Sequence, residues 1–179
     1  VEPGYPSTVY INHPYWLTDN FSQGDVVYRG LTYRNVSVRY DAYLKQLVVK
    51  TPVKRQNVSV PMDLVEKFTL GGIRYERRKG EFMAILYSSP RIELVQQMNV
   101  MMREKLVDNV KVQYEFKPTM KYCLYRDGQV YEVTNLKSVS KLYPHLKKEL
   151  KQFAKKYHLD FKENRQLSLG TLVKYADEW

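Results

Sequence analysis

A single cysteine, Cys123, in 179 residues excludes a disulfide framework and any zinc module built on several thiolates. The three histidines, His13, His145 and His158, form no HxH, HxxxH or HExxH spacing, so no local metal motif exists. Apolar runs such as residues 83–87 are only a few residues long, far short of the roughly 20 that span a bilayer as a helix. Catalytic signatures are missing too. There is no GxSxG elbow, Gly71-Gly72 opens no GxxxxGKS/T phosphate loop, and Ser88-Ser89-Pro90 reads as a loop between strands. Acidic residues are in the minority: 19 Asp plus Glu stand against 29 Lys plus Arg, a net charge of +10.

What is present is the material of a folded protein. Hydrophobic residues are 44% of the chain and charged residues 27%, enough apolar content to exclude disorder for its bulk. Sixteen tyrosines lean toward pleated, half-buried surfaces. The positive balance points toward polyanions, so its distribution along the chain matters.

Residues 1–25 carry three Pro, two Gly and clustered aromatics without helical period, and read as an irregular leader with one short strand at 8–11. From Val26 the period is two. Val36, Val38 and Tyr40 alternate with Ser37 and Arg39, residues 41–45 turn, and 47–51 return as a partner strand. Val58 and Val60 repeat the alternation, and 62–68 is either one helical turn or a bulged strand. Residues 73–77 and 82–87 flank a hairpin signature at 78–81. In 91–103, Ile92, Leu94, Met98, Val100 and Met102 share a register that favours a long strand over a helix. Asp108-Asn109 then turns into a strand at 110–116, and 121–125 and 129–133 flank Asp127-Gly128, a strong hairpin turn. About nine strands joined mostly by hairpins predict an antiparallel sheet.

At Thr134 the pattern becomes helical. Thr134 or Asn135 caps a short helix through Leu142, and Pro144 suits the first turn of the next. Leu146, Leu150, Phe153 and Tyr157 form one apolar stripe, with Lys147, Lys148, Lys151, Lys155 and Lys156 opposite. Asn164 or Ser168 caps a last helix bearing Leu169, Leu172, Val173 and Ala176. The predicted fold is therefore α+β: a mainly antiparallel sheet, as a sandwich or half-barrel, then a C-terminal unit of two or three helices. The β-rich body spans 1–134 and the helical unit 135–179, packed as one domain.

Two stretches carry a resemblance. One is HPYWLTDNFSQGDVVYRGLTYRNVSVRYDAYLKQLVV (13–49), an aromatic-rich opening followed by Gly-separated strands and a Tyr-Asp pair. The other is YCLYRDGQVYEVTNLKSVSKLYPHLKKELKQFAKKYHLDFKE (122–163), a hairpin followed by a Tyr-Pro junction and a lysine-rich helix. Together they resemble a family of uncharacterised exported proteins of Bacteroidetes-type bacteria, over about two thirds of the chain. The resemblance implies a periplasmic, cell-envelope or secreted setting, and it carries no catalytic residues and no cofactor.

Candidate sites follow from residue chemistry. Residues 137–162 hold eight lysines against two acidic residues, and Lys147, Lys148, Lys151, Lys155 and Lys156 are the candidate contacts to an anionic lipid, acidic glycan or nucleic acid. The preferred reading of the same lysines is a solvated outer face on a helix packed by its apolar stripe. Arg and interleaved aromatics are lacking on that face, so sequence-specific nucleic-acid recognition is not expected. Tyr5, Tyr10, Tyr15 and Trp16 are the candidate aromatic contacts to a ligand or partner; the preferred reading is that they fold the leader across a sheet edge. Cys123 reads as a small buried hydrophobe rather than a nucleophile. Met98 and Met102 read as core, and the Asn-x-Ser sequons at Asn20, Asn35 and Asn57 matter only in a eukaryotic secretory route. Asp19, Asp25, Asp41 and Asp63 are the carboxylates a hydrolase could use.

The expected function is a non-enzymatic, envelope-associated binding or assembly module, its partner an unknown protein, an envelope component or an anionic surface. A polyanion binder proper is the alternative, and a hydrolase the third reading.

Overall fold

Four residue pairs ending in glycine turn the alternating sequence into hairpins. In a computed structural model that describes Tyr5 and residues 10–52, 56–107 and 111–179, each pair takes positive φ at both positions: Arg29-Gly30, Gly71-Gly72, Lys79-Gly80 and Asp127-Gly128. Two-residue loops of that conformation match the right-handed twist of the strands they join.

The elements in order are β1 (Tyr10–Ile11), β2 (Ser22–Tyr28), β3 (Leu31–Asp41), β4 (Gln46–Lys50), β5 (Asn57–Val60), β6 (Val65–Leu70), β7 (Ile73–Arg78), β8 (Glu81–Ser88), β9 (Ile92–Val107), β10 (Lys111–Arg126) and β11 (Gln129–Glu132). Helices α1 (Leu136–Leu142), α2 (Lys147–Lys156) and α3 (Arg165–Asp177) follow. The strands form an open sheet in the order β1-β10-β9-β8-β7-β6-β2-β3-β4-β5, with β11 on β10. Among the described registers only β1 with β10 is parallel. The fold is thus α+β with a mostly antiparallel sheet and its helices at the C-terminal end, as the hairpin grammar predicts.

Several expectations change in detail. The period-two pattern expected from Val26 begins earlier, at Ser22, so residues 22–25 are strand rather than the end of an irregular leader. The segment 62–68 is helical turn and strand in succession: a 3-10 turn, Met62–Leu64, leads into β6. The two strands read at 110–116 and 121–125 are one, because β10 runs through Pro118. Pro118 falls between the pairings of β10 with β1 (Tyr114, Glu115) and with β11 (Cys123 to Arg126), where one edge of the strand has no described neighbour strand to need its missing N–H. Thr8 and Val9 of the short leader strand, and the Asp108-Asn109 turn with Val110, lie outside the described residues.

The chain forms two compact units, residues 1–83 with 98–120, and residues 84–97 with 121–179. β8, β9 and β10 contribute to both, so the helices share their unit with strand segments rather than beginning a separate one at residue 135.

The first unit has an aromatic core. Phe68 and Tyr75 are cross-strand partners whose rings stack at 4.8 Å, and Trp16, Tyr40 and Phe82 pack around them. Its leader is held by backbone as well as side chains: Trp16 N–H donates to the Tyr40 carbonyl and Ala42 N–H to that of Pro14, both at 2.9 Å. Met98 is buried, whereas Met102, expected beside it in the core, is exposed; its strand has run past the buried layer.

The second unit buries Ile92, Leu94, Tyr122 and Leu124 from its strands against Val139, Leu146, Leu150, Leu169, Leu172 and Val173 from its helices. On α2 the predicted stripe holds at Leu146 and Leu150 but not at Tyr157, which is exposed at the C-cap; Ala154 takes the buried place instead. Asn164 stands at the N-cap of α3 without a side-chain capping bond, and Ser168, inside the helix, donates from its hydroxyl to the Asp160 carbonyl at 2.8 Å.

Candidate functional site: a lysine-rimmed groove

The site begins with a helix cap. Asn135 Oδ1 accepts the Ser138 N–H at 3.0 Å and Ser138 Oγ accepts the Asn135 N–H at 3.0 Å, a reciprocal capping box that fixes where α1 starts. With that start set, Leu136 and Ser140 stand one turn apart, and Lys137 and Lys141 form a second pair beside them. Pro144 opens a 3-10 turn (Pro144–Leu146), and α2 then places Lys147 and Lys151 one turn apart.

Beyond α2 the chain is folded back by a cluster of short bonds. Leu159 N–H reaches the Ala154 carbonyl at 2.9 Å, and Asp160 Oδ1 accepts the N–H groups of Lys162 and Glu163 at 2.8 and 3.0 Å. Those two N–H bonds, led by that of Glu163, hold the Asp160 carboxyl below its ordinary pKa. Arg165 Nε donates to the Phe161 carbonyl at 2.9 Å, which fixes the backbone that presents the Phe161 ring.

These elements enclose a groove of about 580 Å³. Leu136, Pro144 and Phe161 supply apolar surface, and the aliphatic stems of Lys137, Lys141, Lys147 and Lys151 extend it while their ammonium groups remain in water. Among the described residues no carboxylate lines it.

The five lysines singled out on α2 therefore divide. Lys147 and Lys151 line the groove; Lys148, Lys155 and Lys156 are exposed away from it, and the Lys156 ammonium lies 5.3 Å from the centre of the Tyr157 ring. Lys137 and Lys141 join the site from α1. Their four-residue spacing is visible in the sequence, but only the turn at Pro144 brings them beside the α2 pair.

The aromatic candidates sit elsewhere, in the first unit. Trp16 is 1% exposed and cannot offer its ring to a ligand. Tyr5, Tyr10 and Tyr15 are half-buried. Tyr5 and Tyr10 pack on Phe116, Tyr10 pairs with Tyr114 along the β10 edge, and the Arg39 guanidinium lies 3.9 Å from the Tyr15 ring centre.

The carboxylates of the first third are each held by local bonds or exposed. Asp41 is buried with its oxygens engaged by the N–H groups of Tyr43 and Leu44 and by the Tyr5 hydroxyl, which burial, reinforced by this bond, pushes far above its ordinary pKa. Asp25 accepts the Asn35 N–H at 2.9 Å, and Asp19 and Asp63 are exposed. Cys123 is half-buried rather than buried, on the face of β10 opposite Tyr122 and Leu124. Among the described residues no three His, Cys, Asp or Glu side chains converge as metal ligands, and no helix is long and apolar enough to cross a membrane.

A second cleft, of about 610 Å³, lies beside Arg91, Arg126, Tyr143, His145 and Trp179. Its charges are already engaged: Arg91 pairs with Asp177 at 3.1 Å, and Arg126 donates to the Leu142 carbonyl at 2.8 Å and pairs with Asp127 at 3.1 Å. No protein-family model, curated protein or solved structure matches the chain.

Proposed function

We propose that this chain is a non-enzymatic binding module of the cell envelope that takes an anionic ligand at the groove between α1, α2 and Phe161. One observation carries the reading: four lysines from two helices rim one apolar groove that no described carboxylate lines. Each lysine near an anionic surface contributes about 1 kcal/mol, so four acting together give useful affinity without any deep pocket. The resemblance of residues 13–49 and 122–163 to exported proteins supports the envelope setting.

The test is retention on heparin and on vesicles containing anionic lipid, at rising salt. Retention should fall steeply with salt. Changing Lys137, Lys141, Lys147 and Lys151 together to Gln should abolish it, while changing Lys148, Lys155 and Lys156 to Gln should leave most of it. Absence of retention at low salt, or equal loss in both variants, refutes the groove as the anion site.

A further inference from the structure

We infer that the ligand of this groove is a single-chain anionic amphiphile, a fatty acid or alkyl phosphate, its head among the ammonium groups and its tail along Leu136 and Phe161; the inference rests on the groove being the anion site. Three features select this chemistry over a hydrophilic polyanion. The first is the surface between the lysines, which is almost entirely carbon. A sulfated glycan or a nucleic-acid backbone meeting the same four charges would leave that carbon in contact with its own polar groups, whereas an alkyl chain removes it from water.

The second is size. At about 580 Å³ the groove falls within the roughly 300–1,000 Å³ range of small-molecule sites and is more than an inorganic anion requires. The third is the choice of cation. The four charged rim residues are all lysine, a hydrated point charge on a flexible stem, and among the described residues no arginine lines the groove to clamp a planar anion with a fixed pair of donors. Flexible stems can follow a headgroup while their methylenes stay against the tail.

Calorimetric and amide-shift titrations of the full chain test this, using dodecanoate and dodecyl phosphate below their micelle concentrations. Dodecyl maltoside supplies the same tail with an uncharged head, and inorganic phosphate a head without a tail. Both anionic amphiphiles should bind, with shifts at Leu136 and Phe161, and dodecyl maltoside and phosphate should each bind about tenfold or more weakly. Lys141→Gln with Lys151→Gln, two exposed positions whose change leaves the core intact, should weaken dodecanoate about tenfold or more. Lys148→Gln with Lys155→Gln should not. Equal binding of dodecyl maltoside overturns the anionic head, and equal binding of phosphate overturns the tail. Binding to heparin or to anionic vesicles with none to the free amphiphiles overturns this inference and leaves the anion site standing. Failure of every anion overturns both.

Discussion

The indole of Trp16 meets the ring of Tyr75 edge-on, with centroids 5.1 Å apart and planes at 83°. A residue of the leader thereby becomes part of the core of the first unit, and the choice between exposed ligand contact and structural cover is decided at this position by packing. Removing so large a buried side chain costs about 3–5 kcal/mol. Trp16→Ala should therefore lower the unfolding free energy by about that amount in a denaturant titration. Deleting residues 1–22 should do at least as much damage, since it also removes β1 from the edge of β10. An unchanged melting temperature in either variant would return the leader aromatics to the role of ligand contacts.

Neither the Trp16 indole N–H nor the Tyr75 hydroxyl, both buried, has a hydrogen-bond partner among the described residues. A buried hydroxyl without a partner is a liability that its removal relieves, so Tyr75→Phe should leave stability unchanged or raise it. Most buried Tyr→Phe changes break a bond and destabilise. A loss above about 1 kcal/mol would mean that the hydroxyl is bonded after all.

The same burial pushes the phenols of Tyr40 and Tyr75 above their ordinary pKa of 10.0. For a group whose pKa is raised on folding, the stabilisation is complete below the unfolded value and is lost as pH rises through the alkaline range. In an alkaline titration followed by tyrosinate absorbance, Tyr40 and Tyr75 should ionise only together with loss of the folded circular-dichroism signal. Complete titration of all sixteen tyrosines while that signal persists would contradict the burial.

Gly24 tolerates no side chain for a reason independent of its φ. A Cβ built there lies 2.0 Å from the Thr69 carbonyl oxygen and 3.1 Å from Val38 Cγ2. Next to it Asp25 N–H donates to Thr69 Oγ1 at 2.8 Å, and the β2–β3 register shifts between Gly24 and Val26. The obstacle is backbone, which cannot swing aside as a flexible side chain can, so Gly24→Ala should destabilise by about 3 kcal/mol or more. Gly30, with open space around its Cβ position but φ +74, should show only the smaller cost of a strained turn on the same substitution.

What the sequence made legible was local. Asp127-Gly128 and Lys79-Gly80 specify their turns within four residues, and the cap that the sequence leaves to Thr134 or Asn135 falls on Asn135. The start of β2 at Ser22, ahead of the alternation visible from Val26, is hidden because Gly24 interrupts the pattern, and Gly24 is there for the Thr69 backbone opposite, a contact 45 residues away in the chain. Continuity of β10 through Pro118 depends on which edge of the strand is free, a property of the sheet rather than of the segment. The groove was half legible. Its lysines were counted in the charge of 137–162, but separating Lys147 and Lys151 from Lys148 and Lys155 requires the positions of Pro144 and Phe161, which tertiary packing sets.

The end of α3 provides the last test. Asp177, buried, accepts the Tyr87 hydroxyl at 3.0 Å on Oδ2 and pairs with Arg91 at 3.1 Å through Oδ1, binding the helix terminus to the strand segment and loop beneath it. The arginine side chain is 65% exposed, so its ion pair is screened and contributes less than a buried one. The neutral donor from Tyr87 is the better shielded contact. Tyr87→Phe should cost about 1 kcal/mol and Asp177→Ala about 1–3 kcal/mol, the larger loss reflecting two groups left without their acceptor. In a double-mutant cycle the pair should couple by about 0.5 kcal/mol or more, and the Asp177→Ala loss should shrink only slightly at high salt. Additive losses would show that Tyr87 and Asp177 act separately, and a loss abolished by salt would move the stabilisation to Arg91.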